Sequence, residues 1–313
     1  MASSSWDGWA DRFRRRGFNV LAPAWPGLEG SVEQLRADPT PLAKLNIEMV
    51  VGHYDRIVRE LDSPPIIIGH SFGGLFAQLL AYRGLGAAVV GLEPGAPAGV
   101  LSLPFSTLKA GAPVLANPFN VGGATMLTPE QFRYAFTNTV SDEESQALYD
   151  RYAIPCANRV FFEGAFENFA PHSPAHVDVK LDRPPILLIT GGADHLVTAA
   201  YTKSNFSPDQ SITGNYRVQR VSRPAAFQWC SSGLGSSCGL CPRLGDGTRT
   251  LKPGVEAQSS RSASGALRAA GIDSPDLPSQ LSLASTLRRI LSSNGPSQFI
   301  NFLLRTQLAP ASL

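Results

Sequence analysis

The sequence predicts an α/β fold: a mainly parallel sheet with flanking helices, a helical insertion, and a largely irregular C-terminal stretch. Three observations carry that reading. Short apolar runs rich in β-branched residues recur at 18–22, 66–68, 87–92 and 186–190, the pattern of strands buried on both faces. Helical stretches with a 3.6-residue apolar period alternate with them, as the crossovers of a parallel sheet require. Near residue 220 the chain changes character. Residues 221–313 carry nine Lys/Arg against four Asp/Glu, 17 serines and three of the four cysteines, while residues 1–220 carry 18 basic against 21 acidic side chains.

The elements follow in order. Residues 6–16 read as a helix with Trp9 and Phe13 on one face, and Phe18-Asn-Val-Leu-Ala22 as a buried strand stopped by Pro23 and Pro26. From Leu45 to Leu61 apolar residues return at Ile47, Val50, Val51, Tyr54, Ile57, Val58 and Leu61, one face of a helix. Pro64 and Pro65 end it, because proline cannot continue the hydrogen-bond ladder. Ile66-Ile67-Ile68 then forms a strand, residues 75–82 a helix, 87–92 a strand and 186–190 another. Residues 98–182 break this rhythm and read as an insertion above the sheet. The core is therefore expected at 1–97 and 183–215, with 216–313 a separate irregular stretch. Within that stretch only 283–291 and 299–304 have a spacing that permits short amphipathic helices.

The totals exclude several classes. A formal net charge of +2 gives no reason to expect a nucleic-acid partner. No apolar run approaches the roughly 20 residues that cross a bilayer, so no membrane association is expected. The opening MASSSWDGWADRFRRR has no apolar core of a secretory signal, which points to the cytoplasm. Four cysteines do not make a disulfide scaffold in a chain this long. Cys238-Gly-Leu-Cys241 with Cys230 supplies three thiols and no nearby histidine, so no metal or other cofactor is expected. The basic clusters at Arg14–Arg16 and Arg288–Arg289 read as solvated helix faces.

Chemistry concentrates at Gly69-His70-Ser71-Phe72-Gly73. This G-x-S-x-G pattern lies between an all-isoleucine strand and an apolar helix, the context that makes it a nucleophile elbow. A turn tight enough to expose the Ser71 hydroxyl leaves little room for side chains at 69 and 73. The helix that follows aims its first amides at the site, and the Phe72 N–H is an oxyanion donor. A serine nucleophile needs a base, and the base needs a carboxylate to orient it. Asp194 follows the strand at 186–190, at the carboxyl edge where sites of open sheets gather. Glu93, after the preceding strand, is a second candidate for the acid.

These residues resemble the α/β-hydrolase superfamily in its cap-bearing form, over roughly Trp6 to Tyr201, with the elbow and Gly191-Gly-Ala-Asp-His195 as the most specific pieces. The resemblance implies a Ser–Asp–His hydrolase acting on an ester-like small molecule, with residues 98–182 as the cap. Members usually open with a strand ending in a His-Gly loop that supplies the other oxyanion donor. This sequence opens in the segment that aligns with the helix after that loop, so a shortened N-terminal core is expected. The triad histidine should follow Asp194 by some tens of residues, yet the five histidines stand at 53, 70, 172, 176 and 195. The expected consequence is weak or no activity. The other reading is a defunct relative, at most binding small molecules, or an artefact of the gene sequence.

The lost histidine and the change in composition fall together. Codons for Val221 to Trp229, read one nucleotide on, allow Phe-Pro-Gly-Arg-Pro-His-Phe-Ser-Gly, with the histidine spanning Ala226 and Phe227. Further on, the same shift allows Trp-Glu and then Asp-Tyr-Ala-Leu-Ala-Trp, an amphipathic pattern. A shifted reading frame after about residue 215 is the expectation.

Overall fold

A computed structural model describes residues 2–15, 17–98, 105–166, 173–176, 183–191 and 194–205, and the backbone of strands Tyr216–Val221 and Phe302–Thr306. All of these belong to one of the chain's two compact units, residues 1–231 with 296–313. The 283–291 pattern, His172 and the cysteines after 156 lie outside the described residues.

The first elements form as their sequences dictate. A 3-10 turn, Ser3–Trp6, leads into α1 (Asp7–Arg14), whose buried Trp9, Ala10 and Phe13 make one stripe. β1 (Phe18–Leu21) follows. Next come α2 (Val32–Ala37) and the single turn α3 (Thr40–Ala43). A capping box starts α2: the Ser31 hydroxyl accepts from Gln34 N, and the Gln34 side chain accepts from Ser31 N. α4 (Ile47–Arg59) is capped by Asn46, whose Oδ1 accepts from Met49 N at 2.8 Å. Its buried face is Ile47, Val50, Val51, Tyr54 and Val58, and the Tyr54 hydroxyl donates to Pro23 O at 2.8 Å, pinning the loop after β1. β2 (Ile66–His70) is buried along its whole length. Each of its isoleucines removes a side chain from water, worth about 1.5–3 kcal/mol. α5 (Phe72–Tyr82) and β3 (Ala88–Leu92) complete the first half.

Between β3 and the next sheet strand lies a mainly helical insertion: α6 (Phe105–Leu115), β4 (Ala124–Thr125), α7 (Pro129–Phe136), α8 (Asp142–Tyr152), β5 (Cys156–Ala157) and α9 (Asn158–Phe166). β4 and β5 pair as a small antiparallel sheet. Arg36 of α2 holds the insertion down: its guanidinium donates to Ala153 O, Tyr149 O and Asp150 O at 2.9, 2.8 and 3.1 Å. These carbonyls close α8, the end at which a cation is favoured.

The chain returns to the main sheet with β6 (Ile186–Gly191), α10 (Ala199–Ser204), β7 (Tyr216–Val221) and finally β8 (Phe302–Thr306). Among the described residues the strand order is β1-β8-β2-β3-β6-β7. β2 with β3, β3 with β6 and β6 with β7 are parallel, in the registers Ile66↔Ala88, Val89↔Ile186 and Ile186↔Tyr216. β8 alone runs antiparallel, between β1 and β2. Two strands beyond residue 215 thus join the sheet. One falls where the spacing of 299–304 allowed a short helix, because Phe302–Thr306 finds unpaired backbone on both sides between β1 and β2. No helix among the described residues is long and apolar enough to cross a membrane.

Candidate active site

Three parallel strands deliver the site residues to one edge of the sheet. Backbone hydrogen bonds carry the ladders past the strand ends: Ser71 N donates to Leu92 O at 3.0 Å, and Glu93 N to Ile189 O at 2.7 Å. Ser71, Glu93 and the segment bearing Asp194 therefore leave β2, β3 and β6 side by side.

Ser71 has φ 51° and ψ −122°, a backbone conformation costly for any residue with a side chain. The turn is held from both sides. Gly74 N, Leu75 N and Gly95 N all donate to Ser71 O, at 2.9, 3.1 and 2.9 Å. A Cβ at Gly69 would stand 2.0 Å from Gly73 O, so the strand can pass the helix start only as glycine. Gly74, outside the pentapeptide pattern, is equally constrained: its Cβ would stand 2.6 Å from Pro94 Cβ. α5 begins at Phe72, and the first amides of a helix have no acceptor within it. The strand–serine–helix geometry read from the sequence is thus present.

Glu93 shares the strain, with φ 43°, and is buried. Its carboxylate oxygen Oε2 lies 3.0 Å from His70 Nε2. Its carboxyl is also electrostatically coupled to that of Asp194. Burial pushes Glu93 up to about 7, while hydrogen bonds from Asp194 and the Gly191 backbone pull it back. Burial, and then the Glu93 charge, hold Asp194 well above the usual carboxylate range. Burial drives His70 down to about 3, so its imidazole is neutral beside the Glu93 carboxyl. Asp194 Oδ1 also accepts from Leu196 N and Val197 N, at 2.6 and 2.8 Å, which fixes the turn into α10. His70, Glu93 and Asp194 form one buried, electrostatically coupled cluster. Sequence reasoning had Glu93 only as a substitute for Asp194. The signal it missed is that residues following adjacent parallel strands end up side by side.

The histidines go elsewhere. His195, next to Asp194 in sequence, turns toward α7: its Nδ1 is 3.1 Å from Tyr134 O, its Nε2 is 3.3 Å from Asn138 Nδ2, and its ring lies 4.7 Å from that of Tyr134. His53 packs beside Tyr54 on α4, and His176 is exposed. Among the described residues, no histidine hydrogen-bonds the Ser71 hydroxyl. Two cavities border Ser71, and neither Glu93 nor Asp194 lines them.

A mainly parallel sheet, a strained serine between strand and helix, and a carboxylate after a later strand define the α/β-hydrolase class. The chain belongs to the Alpha/beta hydrolase family, whose model matches residues 1–220. It is similar in fold to the monoacylglycerol lipase of Paleococcus ferrophilus, at 18% identity and TM-score 0.48 over 71% of this chain and 80% of that one. Polyneuridine aldehyde esterase gives 13% and 0.46 over 71% and 86%, and the Arabidopsis methylesterase MES16 12% and 0.45 over 70% and 84%. No curated protein matches the sequence.

Proposed function

We propose that this chain is a serine hydrolase scaffold directed at esters, with Ser71 as nucleophile, the Phe72 N–H as oxyanion donor and Asp194 as the acid. The insertion at 98–182 acts as the cap over the site. The observation that carries the reading is the elbow itself. A side chain held at φ 51° costs stability, and it puts one hydroxyl at the head of a helix, beside two cavities. In the reaction, the Ser71 oxygen attacks the ester carbonyl carbon and its proton must leave. The carbonyl oxygen becomes an oxyanion facing the Phe72 amide, then collapse expels the alkoxide, which needs a proton in turn. Water repeats the sequence on the acyl-serine.

Both proton transfers fall to an imidazole in a serine triad. Here His195 is held by Tyr134 and Asn138, and His70 by Glu93. That arrangement supports slow turnover, left to the oxyanion donor and binding alone. It equally supports a relative that only binds small molecules. Fluorophosphonate labelling separates the two. The working-nucleophile reading expects slow labelling that vanishes in Ser71→Gly. It also expects a chain re-encoded in the shifted frame from residue 216, with the codons chosen that give a histidine there, to hydrolyse a 4-nitrophenyl ester at least about a thousandfold faster. A folded chain that never labels, or labels equally without Ser71, refutes it.

A further inference from the structure

The main sheet has a slot one strand wide between β1 and β2. β8 fills it, registered with Phe18–Leu21 on one side and Ile66–Ile68 on the other. The two walls run the same way, and β8 runs against both. Each wall turns backbone donors and acceptors toward the slot, and only a further extended segment can satisfy them away from water.

The walls also set what that segment must be. Ile66, Ile67 and Ile68 are at most 4% exposed, so positions 302–304 opposite them call for apolar residues. Position 304 stands between Val20 and Ile66, both buried. Positions 305 and 306 are registered with β1 alone, at exposed Asn19 and half-buried Phe18. Pro64 and Pro65 precede Ile66 and carry no N–H, so the β2 wall ends there. The slot therefore asks for three apolar residues followed by two that are free to be polar. Phe302-Leu-Leu-Arg-Thr306 has that order. Laid in the other direction, the same five residues would set Thr and Arg against the isoleucines. That accounts for an antiparallel course beside parallel strands.

Chain continuity does little to hold β8 in place. β7 lies four strands away along the sheet, roughly 20 Å. About 80 residues separate Val221 from Phe302, far more than that distance requires.

We propose that the slot between β1 and β2 is a peptide-binding site, and that residues 302–306 are its tethered ligand. Its ligand class is an extended five-residue segment, apolar over the first three positions, recognised by backbone pairing on both edges. The ligand enters at the sheet edge that bears the elbow, since position 302 is registered with Ile68, three residues before Ser71. It leaves at the opposite edge.

The test starts from the full chain. A recognition site for a sequence-specific protease is placed between Gly295 and Pro296, the chain is folded intact, and it is then cut. Residues 296–313 should stay with the body through gel filtration. An excess of fluorescent peptide of the same sequence should replace them, with a rise in anisotropy. In that peptide Leu304→Pro, which removes an N–H, and Leu304→Asp should each weaken binding at least about a hundredfold. Arg305→Gln should change it by less than about threefold. Loss of the segment on cutting, whether the body stays folded or precipitates, overturns the proposal. A proline peptide that binds like the parent does the same. The uncut chain, with its four native cysteines changed to serine, checks the register. Val20→Cys with Leu304→Cys should close a disulfide within one chain, because directly opposed residues lie at Cα separations that a disulfide spans. Asn19→Cys with Leu304→Cys should not. Failure of the first pair to close, or closure of both, overturns the assignment. Cross-links that join two chains, which would put the occupant in a second copy, overturn it equally.

Discussion

Replacing Glu93 by Gln tests the buried coupled cluster directly. The amide keeps the shape and can still hydrogen-bond His70 Nε2. What it removes is a titration. In the unfolded chain Glu93 loses its proton near the ordinary 4.5, whereas burial delays this to about 7 in the folded protein. Between those values the folded state binds more protons than the unfolded state, so stability falls as pH rises. Full ionisation of Glu93 corresponds to about 3 kcal/mol of lost stability. Asp194 adds to the effect with the same sign, because the Glu93 charge is one cause of its own raised value. Glu93→Gln should therefore match the parent near pH 4.5 and exceed it by about 3 kcal/mol near pH 8. Urea unfolding of both proteins across that range measures the difference. A stability difference that does not change with pH, or that favours the parent more as pH rises, would refute the coupled cluster.

Other substitutions probe the elbow and the insertion. Gly69→Ala places a methyl 2.0 Å from a backbone oxygen, and should cost more than about 3 kcal/mol and abolish fluorophosphonate labelling, read by thermal unfolding and gel fluorescence. Ser71→Gly removes the strain at φ 51° at the expense of a floppier unfolded chain, a net gain of about 1 kcal/mol that should raise the thermal midpoint while labelling disappears. Arg36→Ala frees three carbonyls at the end of α8 and should cost about 2 kcal/mol in urea unfolding; Arg36→Lys should recover less than half, since a lysine cannot fork among them.

The core of the fold was legible because its signals are local. The triple isoleucine of β2, the five-residue buried stripe of α4 and the prolines between them each fix an element from a short stretch of chain. Ser71 was legible for the same reason, since its geometry comes from the glycines beside it. The short α2 was missed although its capping box was in plain view, because six residues carry little periodicity. β8 was illegible: what makes Phe302–Thr306 a strand is the pair of backbone edges waiting far earlier in the chain, at Phe18–Leu21 and Ile66–Ile68. The coupling of Glu93 to Asp194 and His70 needed the strand order, which joins β3 to both β2 and β6. The attachment of His195 to Tyr134 depends on the insertion folding over it.

The two halves of serine hydrolysis draw on different parts of this chain. The proposed nucleophile and oxyanion donor are backbone products: a strand end, a strained residue and the first amide of a helix, set by packing within residues 66–75 and against Leu92, Pro94 and Gly95. The proton carrier is a single side chain that must arrive from elsewhere in the sequence. Losing it leaves the first set intact, so attack on a very reactive phosphorus centre with a good leaving group suffers less than ester turnover, which needs a proton moved twice. β7 is parallel to β6, so the chain leaves it at the same sheet edge as Ser71 and Asp194. A histidine five or six residues beyond Val221, where the shifted frame allows one, would therefore start from the correct edge. In such a re-encoded chain turnover should rise far more than labelling. That ratio, rather than either rate alone, tells a missing base from a misplaced nucleophile.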